Sequence, residues 1–180
     1  MGLYLDSLEI DAITGDIKKR ISIGICGSFT DTNKPLLEGL KEYLKKNGYY
    51  HVFTADDFPY DKPPITYGDA KYQYSYEKCI DMINNCDIVI IFLLNSDQDS
   101  EVNQSAIAEI QELCSKQKRN VIVLIQEGFK MRSMAKGIKI KSAKWWNWRD
   151  FSINENAVCY QYVKQSCHNL ILERFLNRDP

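Results

Sequence analysis

Two stretches of sequence, ISIGICGSFTD (Ile21–Asp31) and NCDIVIIFLLNSDQD (Asn85–Asp99), decide the fold of this chain. Each is a short apolar run, rich in Ile and Val, that ends abruptly in small or acidic residues. Such runs are typical of strands buried on both faces, as in a parallel sheet covered by helices. In open α/β sheets, ligands bind outside the carboxyl ends of the strands. We therefore expect a ligand site at the polar ends of these two runs.

Strand-like and helix-like segments alternate along the chain. Apolar runs predict strands at 21–26, 50–54, 87–94 and 120–125, and a short edge strand at 137–140. Apolar residues at helical spacing predict helices over 36–44, 69–84, 103–117 and 154–176. This alternation predicts an α/β fold, a three-layer sandwich with a flavodoxin-like central parallel sheet of about five strands. We expect residues 1–20 to form an N-terminal arm and residues 21–180 a single domain.

Two of these helices carry predictions about which side chains point inward. In the helix over 69–84 the inward residues are predicted to be Tyr76, Cys79, Ile80 and Ile83. In the C-terminal helix the candidate packing residues are Val158, Tyr162, Leu170, Leu172 and Phe175.

Composition excludes several classes of function. A chain of 180 residues with 44% hydrophobic content suits one domain with a sizeable core. The net charge of −1 argues against a nucleic-acid partner. No apolar run approaches the roughly 18 residues of a membrane-spanning helix, and the acidic N-terminal stretch does not resemble a signal peptide. We expect a cytoplasmic protein with no membrane partner.

The six cysteines form no CxxC pair and no zinc-ribbon spacing. In a cytoplasmic protein they are expected to stay reduced and to act as small core hydrophobes. A catalytic cysteine would need His51 or His168 as its base, and neither lies in a recognisable motif. The sequence also lacks GxGxxG and GxxxxGK[ST], so we predict no cofactor and no metal site.

Chemically interesting residues cluster at the predicted strand ends. Gly27 and Ser28 directly follow the first strand, either as a turn that approaches a phosphate or ribose, or as a tight turn that simply needs glycine. Glu109 lies at the edge of an apolar helical stripe, with Ser105 one turn before it. A partly desolvated carboxylate there would serve as a nucleophile or proton carrier. Alternatively, the acid is there because the helix dipole favours it near the N-terminus.

The strings GSF, NNCDIVIIFL, SDQDSE and AEIQELCSKQKRNVIVLI together resemble a nucleoside 2-deoxyribosyltransferase, over about Ile21–Ile125. The resemblance implies that Glu109 is the nucleophile that attacks the anomeric carbon of the sugar. It implies that Asp97 and Asp99 contact the sugar or assist the base, and that Gly27, Ser28 and Phe29 line the nucleoside. Asp81 is a weaker candidate for protonating the base.

The chain departs from the family at the entrance to the helix that carries Glu109. The family has Gly-Thr or Gly-Ser shortly before its Glu, whereas this chain has SEVNQSAIAE, so Asn103 and Ser105 stand where a tight turn is expected. They are candidate substrate-binding residues. Domains of the TIR type that cleave NAD share this architecture, with one Glu on the corresponding helix.

These observations predict cleavage or transfer at an N-glycosidic bond of a nucleoside or nucleotide, by a protein that resembles a family of homo-oligomers. One alternative is a catalytically silent nucleotide-binding or signalling module, and another is a structural oligomerising protein. The aromatic residues fit each of these hypotheses. Tyrosines around the proline-rich stretch 55–69 could form a lid that stacks on a base, and the tryptophans at 145, 146 and 148 could stack on it from the other side. Alternatively, such aromatic residues lie in the core or at a subunit interface, and we favour this for the tryptophans.

Overall fold

The computed structural model describes residues 7–27, 30–95 and 101–173, with backbone only at 101–105. Within these ranges six helices alternate with five strands. In chain order the elements are α1 (Ser7–Arg20), β1 (Ser22–Cys26), α2 (Lys34–Lys46), β2 (His51–Thr54), α3 (Ala70–Asn85), β3 (Ile88–Leu93), α4 (Glu101–Ser115), β4 (Val121–Gln126), α5 (Ser133–Ser142), β5 (Asn147–Phe151) and α6 (Asn156–Ile171).

The strands form one all-parallel sheet in the order β2-β1-β3-β4-β5, which is the flavodoxin-like order predicted from the sequence. Side chains alternate between its two faces, as the pleat of a strand requires. Ile88, Ile90 and Phe92 pack on the face covered by α2 and α6, and Ile17 of α1 also contacts this core. Val89, Ile91 and Leu93 pack on the opposite face, under α3, α4 and α5. The result is the predicted three-layer sandwich.

The predicted edge strand at 137–140 is wrong, because these residues lie inside helix α5. The sequence GIKIK alternates like a strand, but the inward side chains of the helix are Ala135, Ile138 and Ser142, at helical spacing. Ile140 is 79% exposed on the outer side. The edge of the sheet is instead β5, which includes Asn147 and Trp148 of the aromatic cluster.

Two inward side chains were also assigned wrongly. Tyr76 is 58% exposed on α3, and Val158 is 54% exposed on α6. The buried face of α6 is lined by Cys159, Val163, Ser166, Cys167, Leu170 and Ile171. This face is rotated by about one residue from the predicted face, because the helix buries its small cysteines and serine against the sheet. Phe175 lies outside the described residues.

The N-terminal segment forms a helix that the sequence analysis did not predict. Thr14 of α1 is buried and its hydroxyl donates to the carbonyl of Ile10 at 2.6 Å. The Lys18 ammonium lies 5.6 Å from the centre of the Tyr49 ring. None of the helices that the structure describes is long and apolar enough to cross a membrane.

Candidate functional site

Glu109 lies on the inner side of α4, where it faces α3 and the carboxyl end of β1. Ala106, Ile110 and Leu113 form the buried stripe predicted for this helix, and Glu109 at its margin is only 9% exposed. The stripe holds α4 against β3 and β4, so the backbone that carries Glu109 is fixed by packing. A carboxyl group is thus placed in an apolar layer beside the carboxyl edge of the sheet.

The two oxygens of this carboxyl group have different surroundings. The Cys79 thiol of α3 donates to Oε1 at 3.0 Å. Oε2 is buried and has no hydrogen-bond partner among the described residues. Burial raises the pKa of Glu109 to about 7, and the Cys79 hydrogen bond opposes the rise only in part. The group therefore changes its charge near neutral pH, with one oxygen held by a hydrogen bond and the other buried without a described partner.

Cys26 completes a compact cluster with Cys79 and Glu109. It is the last residue of β1 and is buried on the same face of the sheet. The two sulfur atoms and one carboxylate oxygen all lie within 4.8 Å of one another. A hydrogen bond with Cys79, then burial and the charge of Glu109, raise the pKa of the Cys26 thiol. For Cys79 the contact with Cys26 lowers the pKa, but burial and Glu109 outweigh it and raise it.

From the sequence both thiols are expected to be core residues, and nothing in it places them beside Glu109. Cys79 was correctly predicted to point inward on its helix, and Cys26 to end the first strand. The sequence does not show which positions along the strand and the two helices lie at the same level, so it could not predict that the three side chains meet. The one available signal was that Cys26 is the last residue of its strand, at the carboxyl end.

Gly27 follows Cys26 and allows the chain to turn against the core. A Cβ atom there would lie 3.2 Å from the Cβ of Phe92 and 3.3 Å from a methyl carbon of Leu37. This crowding is reason enough for glycine at the position. Any contact of Gly27 with a ligand remains a prediction.

Asn95 connects the carboxyl ends of β3 and β4. Its backbone N–H donates to Gln126 Oε1 at 2.8 Å, and its side-chain amide donates to the carbonyl of Glu127 at 2.6 Å. Its Oδ1 atom is buried without a hydrogen-bond partner in the described part of the chain. Asn95 was not predicted as a site residue, although it directly follows the central apolar run.

The other predicted site residues are only partly placed. Asp81 lies near the end of α3, where its carboxylate accepts a hydrogen bond from the Asn85 amide at 2.8 Å. The structure brings it into no described contact with Glu109. Four predicted residues lie outside the described part of the chain: Ser28, Phe29, Asp97 and Asp99. The side chains of Asn103 and Ser105 also lie outside it.

The proline-rich stretch 55–69 packs on helix α3 through side-chain contacts. The Tyr60 hydroxyl donates to Glu77 at 3.3 Å, and Lys62 pairs with the same carboxylate. The rings of Tyr60 and Tyr74 meet edge to face, 5.5 Å apart. Tyr67 and Tyr72 are exposed to solvent. A role of these tyrosines as a lid stays a prediction.

The tryptophans contribute to the interior. Trp146 is 4% exposed and its indole N–H donates to the carbonyl of Lys118 at 2.7 Å. Trp148 stacks on it at 5.9 Å and donates to the Ser142 hydroxyl at 3.1 Å. Of the two interpretations of this cluster, the core is the one observed for Trp146.

A concave region lies at the carboxyl ends of β4 and β5. This cleft, called the lysine cleft below, has a volume of about 500 Å³. It is lined by Ile125, Phe129, Lys130, Met131, Lys136, Lys139 and Asp150. The ion pairs found among the described residues do not involve its three lysines. The three ammonium groups outnumber the one carboxylate in this lining, that of Asp150, and the excess positive charge favours an anionic ligand.

Comparison with solved structures gives a match to the CMP N-glycosidase BcmB of Clostridium botulinum. The TM-score is 0.51 at 16% sequence identity, and the match covers 80% of this chain and 98% of that chain. This likeness is one of fold. A conserved protein from Enterococcus faecalis matches with a TM-score of 0.46 and 14% identity, over 81% of this chain and 98% of that chain. No family model and no curated protein matches the sequence.

Proposed function

We propose that this protein cleaves the N-glycosidic bond of a nucleotide, with Glu109 as the nucleophile. The observation that carries the proposal is the state of the Glu109 carboxyl group. One oxygen is held by the Cys79 thiol and the other is buried without a described partner. Burying a carboxyl group without a partner for each oxygen costs free energy, and packing alone does not explain why the protein has one here.

The position of this carboxyl group agrees with the proposal. Glu109 lies beside the end of β1, next to β3, at the point where the strand order reverses. Ligands of open α/β sheets bind at such a switch point. The resemblance to nucleoside 2-deoxyribosyltransferases assigns the nucleophile to the same residue, and the fold shared with a CMP N-glycosidase is consistent with this chemistry.

The reaction proceeds in two displacements. In the first, Oε2 of ionised Glu109 bonds to the anomeric carbon, and the bond from this carbon to the base nitrogen breaks. The base leaves with the bonding electrons and takes a proton from a second acid, for which the resemblance offers Asp97. In the second, water attacks the anomeric carbon, breaks the glycosyl ester and returns a proton to that acid. The products are free base and sugar phosphate.

The lysine cleft supports a nucleotide rather than a nucleoside as the substrate. It lies on the same edge of the sheet as Glu109, because Ile125 in its wall is paired with Leu93 at the end of β3. The ammonium groups of Lys130, Lys136 and Lys139 would attract a phosphate. We assign the phosphate to this cleft and the anomeric carbon to Glu109.

The test is to incubate the protein, in the presence of a metal chelator, with nucleosides, deoxynucleosides, their monophosphates and NAD. Chromatography then detects any free base that is released. We expect release from at least one monophosphate, and a loss of at least 1,000-fold in Glu109→Gln, since this variant lacks the nucleophile. Glu112→Gln is the matched control on the same helix, where Glu112 pairs with Lys116 on the surface. It should keep full activity.

Two outcomes would contradict the proposal. Base release that survives Glu109→Gln would show that another group is the nucleophile. No release from any compound, together with binding of a monophosphate seen as a thermal shift, would favour the silent nucleotide-binding module.

A further inference from the structure

We propose that Cys26, Cys79 and Glu109 form a binding site for a thiophilic divalent cation of the zinc type. The site joins the end of β1, the middle of α3 and the middle of α4. Metal binding itself does not depend on the proposed reaction. Its effect on activity does rest on the proposed function, because the cation would occupy the nucleophile.

The spacing of the ligand atoms carries the inference. The two Sγ atoms and one Glu109 oxygen lie within 4.8 Å of one another. Around a tetrahedral Zn²⁺, with bonds of about 2.3 Å to sulfur and about 2.0 Å to oxygen, neighbouring ligand atoms are separated by roughly 3.4–3.8 Å. The cluster therefore needs only small side-chain adjustments to surround an ion.

The chemistry of the three groups selects the kind of ion. Two thiolates with one carboxylate suit Zn²⁺ and similar soft cations rather than Mg²⁺ or Ca²⁺, which prefer oxygen ligands. Glu109 Oε2, which accepts no hydrogen bond from the described residues, is a second carboxylate oxygen that could coordinate the ion. Three protein ligands leave one tetrahedral position for water.

The surroundings of the cluster suit a charged metal complex. Two thiolates and a carboxylate carry one negative charge more than a divalent cation neutralises. The Lys118 ammonium is held by the carbonyls of Ile83 and Asn84 at 2.7 and 3.0 Å. Burial lowers the pKa of Lys118, and the charges of neighbouring groups, Cys26 among them, oppose this fall. A negatively charged metal complex would favour the charged form of this lysine, which would offset part of the excess.

The structure explains why the sequence alone argued against a metal site. The ligands come from three separate elements, at positions 26, 79 and 109, so no short spacing motif connects them. Zinc motifs are recognised in a sequence when pairs of ligands share a turn. Here the fold brings the ligands together.

The test uses the full chain, reduced with a phosphine and free of metal. Cd²⁺ is titrated while the ultraviolet absorption of the metal–thiolate bond is recorded, and Zn²⁺ affinity is measured by competition with a chromogenic chelator. We expect saturation at one equivalent. The absorption should disappear in Cys26→Ala and Cys79→Ala, whereas Glu109→Gln should keep it but bind Zn²⁺ at least tenfold more weakly.

Matched controls are Cys114→Ala and Cys167→Ala, which remove buried thiols outside the cluster and should bind one equivalent as the wild type does. Zn²⁺ should also raise the Tm of the wild type and of these controls, but not that of Cys26→Ala. Absence of a saturable band in the wild type would overturn the proposal whatever the variants do. A band that survives both cluster variants would overturn it as well.

These measurements contain no substrate, so they remain valid if the proposed N-glycosidase activity fails. If both proposals hold, one equivalent of Zn²⁺ abolishes base release and a chelator restores it. Once Glu109→Gln has been shown to abolish base release, wild-type release that is unaffected by bound Zn²⁺ would overturn the assignment of Glu109 as a ligand.

Discussion

At the scale of single residues, the charge of the candidate site depends on whether the buried carboxyl group of Glu109 carries a proton. Folding moves the pKa of Glu109 from its ordinary value of 4.5 up to about 7, because burial disfavours the charged form. Between these values the folded protein holds a proton that the unfolded chain has released. The free energy of unfolding therefore falls as the pH rises through this interval, and above it the protein carries a buried carboxylate.

Glu109→Gln should remove this pH-dependent cost. At 1.36 kcal/mol per pKa unit, the upper limit of the effect is about 3 kcal/mol. We expect the variant to be more stable than the wild type by about 1–3 kcal/mol at about pH 8, and the gain to shrink to less than about 1 kcal/mol at about pH 5, which is only just above the pKa of the unfolded chain. Urea unfolding at both pH values measures it.

The control for this experiment is Glu112→Gln, because Glu112 lies on the same helix in a surface pair with Lys116. It should change the stability by less than about 0.5 kcal/mol at both pH values. If Glu109→Gln gave the same difference at both pH values, the charge of Glu109 would not be the source of its effect.

Glu109 also shows which features of a single residue could be predicted from the sequence. The helical stripe placed Glu109 at the margin of a buried face, which the structure confirms. Its contact with Cys79 depends on how α3 and α4 are shifted along their axes relative to each other. This shift is set by tertiary packing, and the periodic pattern of one helix carries no information about it.

At the scale of elements, the docking of α6 on α2 depends on a close approach at a glycine. The Tyr160 hydroxyl donates to the carbonyl of Leu36 at 2.8 Å. A Cβ atom at Gly39 would lie 2.5 Å from this hydroxyl oxygen, and 3.4 Å from the ring carbon that carries it. Gly39 therefore leaves room for the contact between the two helices.

Gly39→Ala should destabilise the protein by about 1–2 kcal/mol, because the crowding outweighs the higher helix propensity of alanine. The matched control is Gly137→Ala in α5, where a Cβ atom meets nothing within 4 Å. This control should stabilise the protein by up to about 1 kcal/mol. Chemical denaturation of both variants measures the contrast.

Adding Tyr160→Phe should restore the stability that Gly39→Ala removes. Without the hydroxyl group, the nearest atom to the new methyl group is the ring carbon at 3.4 Å. A double-mutant cycle that shows no coupling between the two positions would contradict this account of the α2–α6 contact.

The errors of prediction at this scale also have a physical cause. The stretch GIKIK in α5 fits a strand period, yet only Ile138 of its two isoleucines contacts the core. The strand β5 exposes Arg149 and Asp150 at the sheet edge, so it lacks the apolar run that identified the inner strands. Edge elements are half solvated, and their patterns are correspondingly weak.

At the scale of the whole molecule, the sheet order was predictable because strand and helix alternate from β1 to α6. The same order determines how the candidate sites are distributed. The cluster around Glu109 lies beside β1 and β3, and the lysine cleft lies at β4 and β5. Both are on the carboxyl edge of the same sheet, as the proposed binding of one nucleotide to both places requires.

A nucleotide that spans the two places should lose affinity when the cleft loses charge. Lys136→Ala is the variant of choice, because Lys139 also lies over the Trp148 ring and its removal would disturb packing. An exposed ion pair contributes about 0.2–1 kcal/mol, so KM or Kd for the monophosphate should rise by up to roughly fivefold.

Lys144→Ala, at an exposed lysine outside the cleft, should leave this affinity unchanged. The affinity for the corresponding nucleoside should not respond to either variant, because it lacks the phosphate. Added salt should narrow the preference of the wild type for the monophosphate, since screening weakens exposed charge pairs. Equal effects of Lys136→Ala on nucleoside and monophosphate would mean that the cleft does not hold the phosphate.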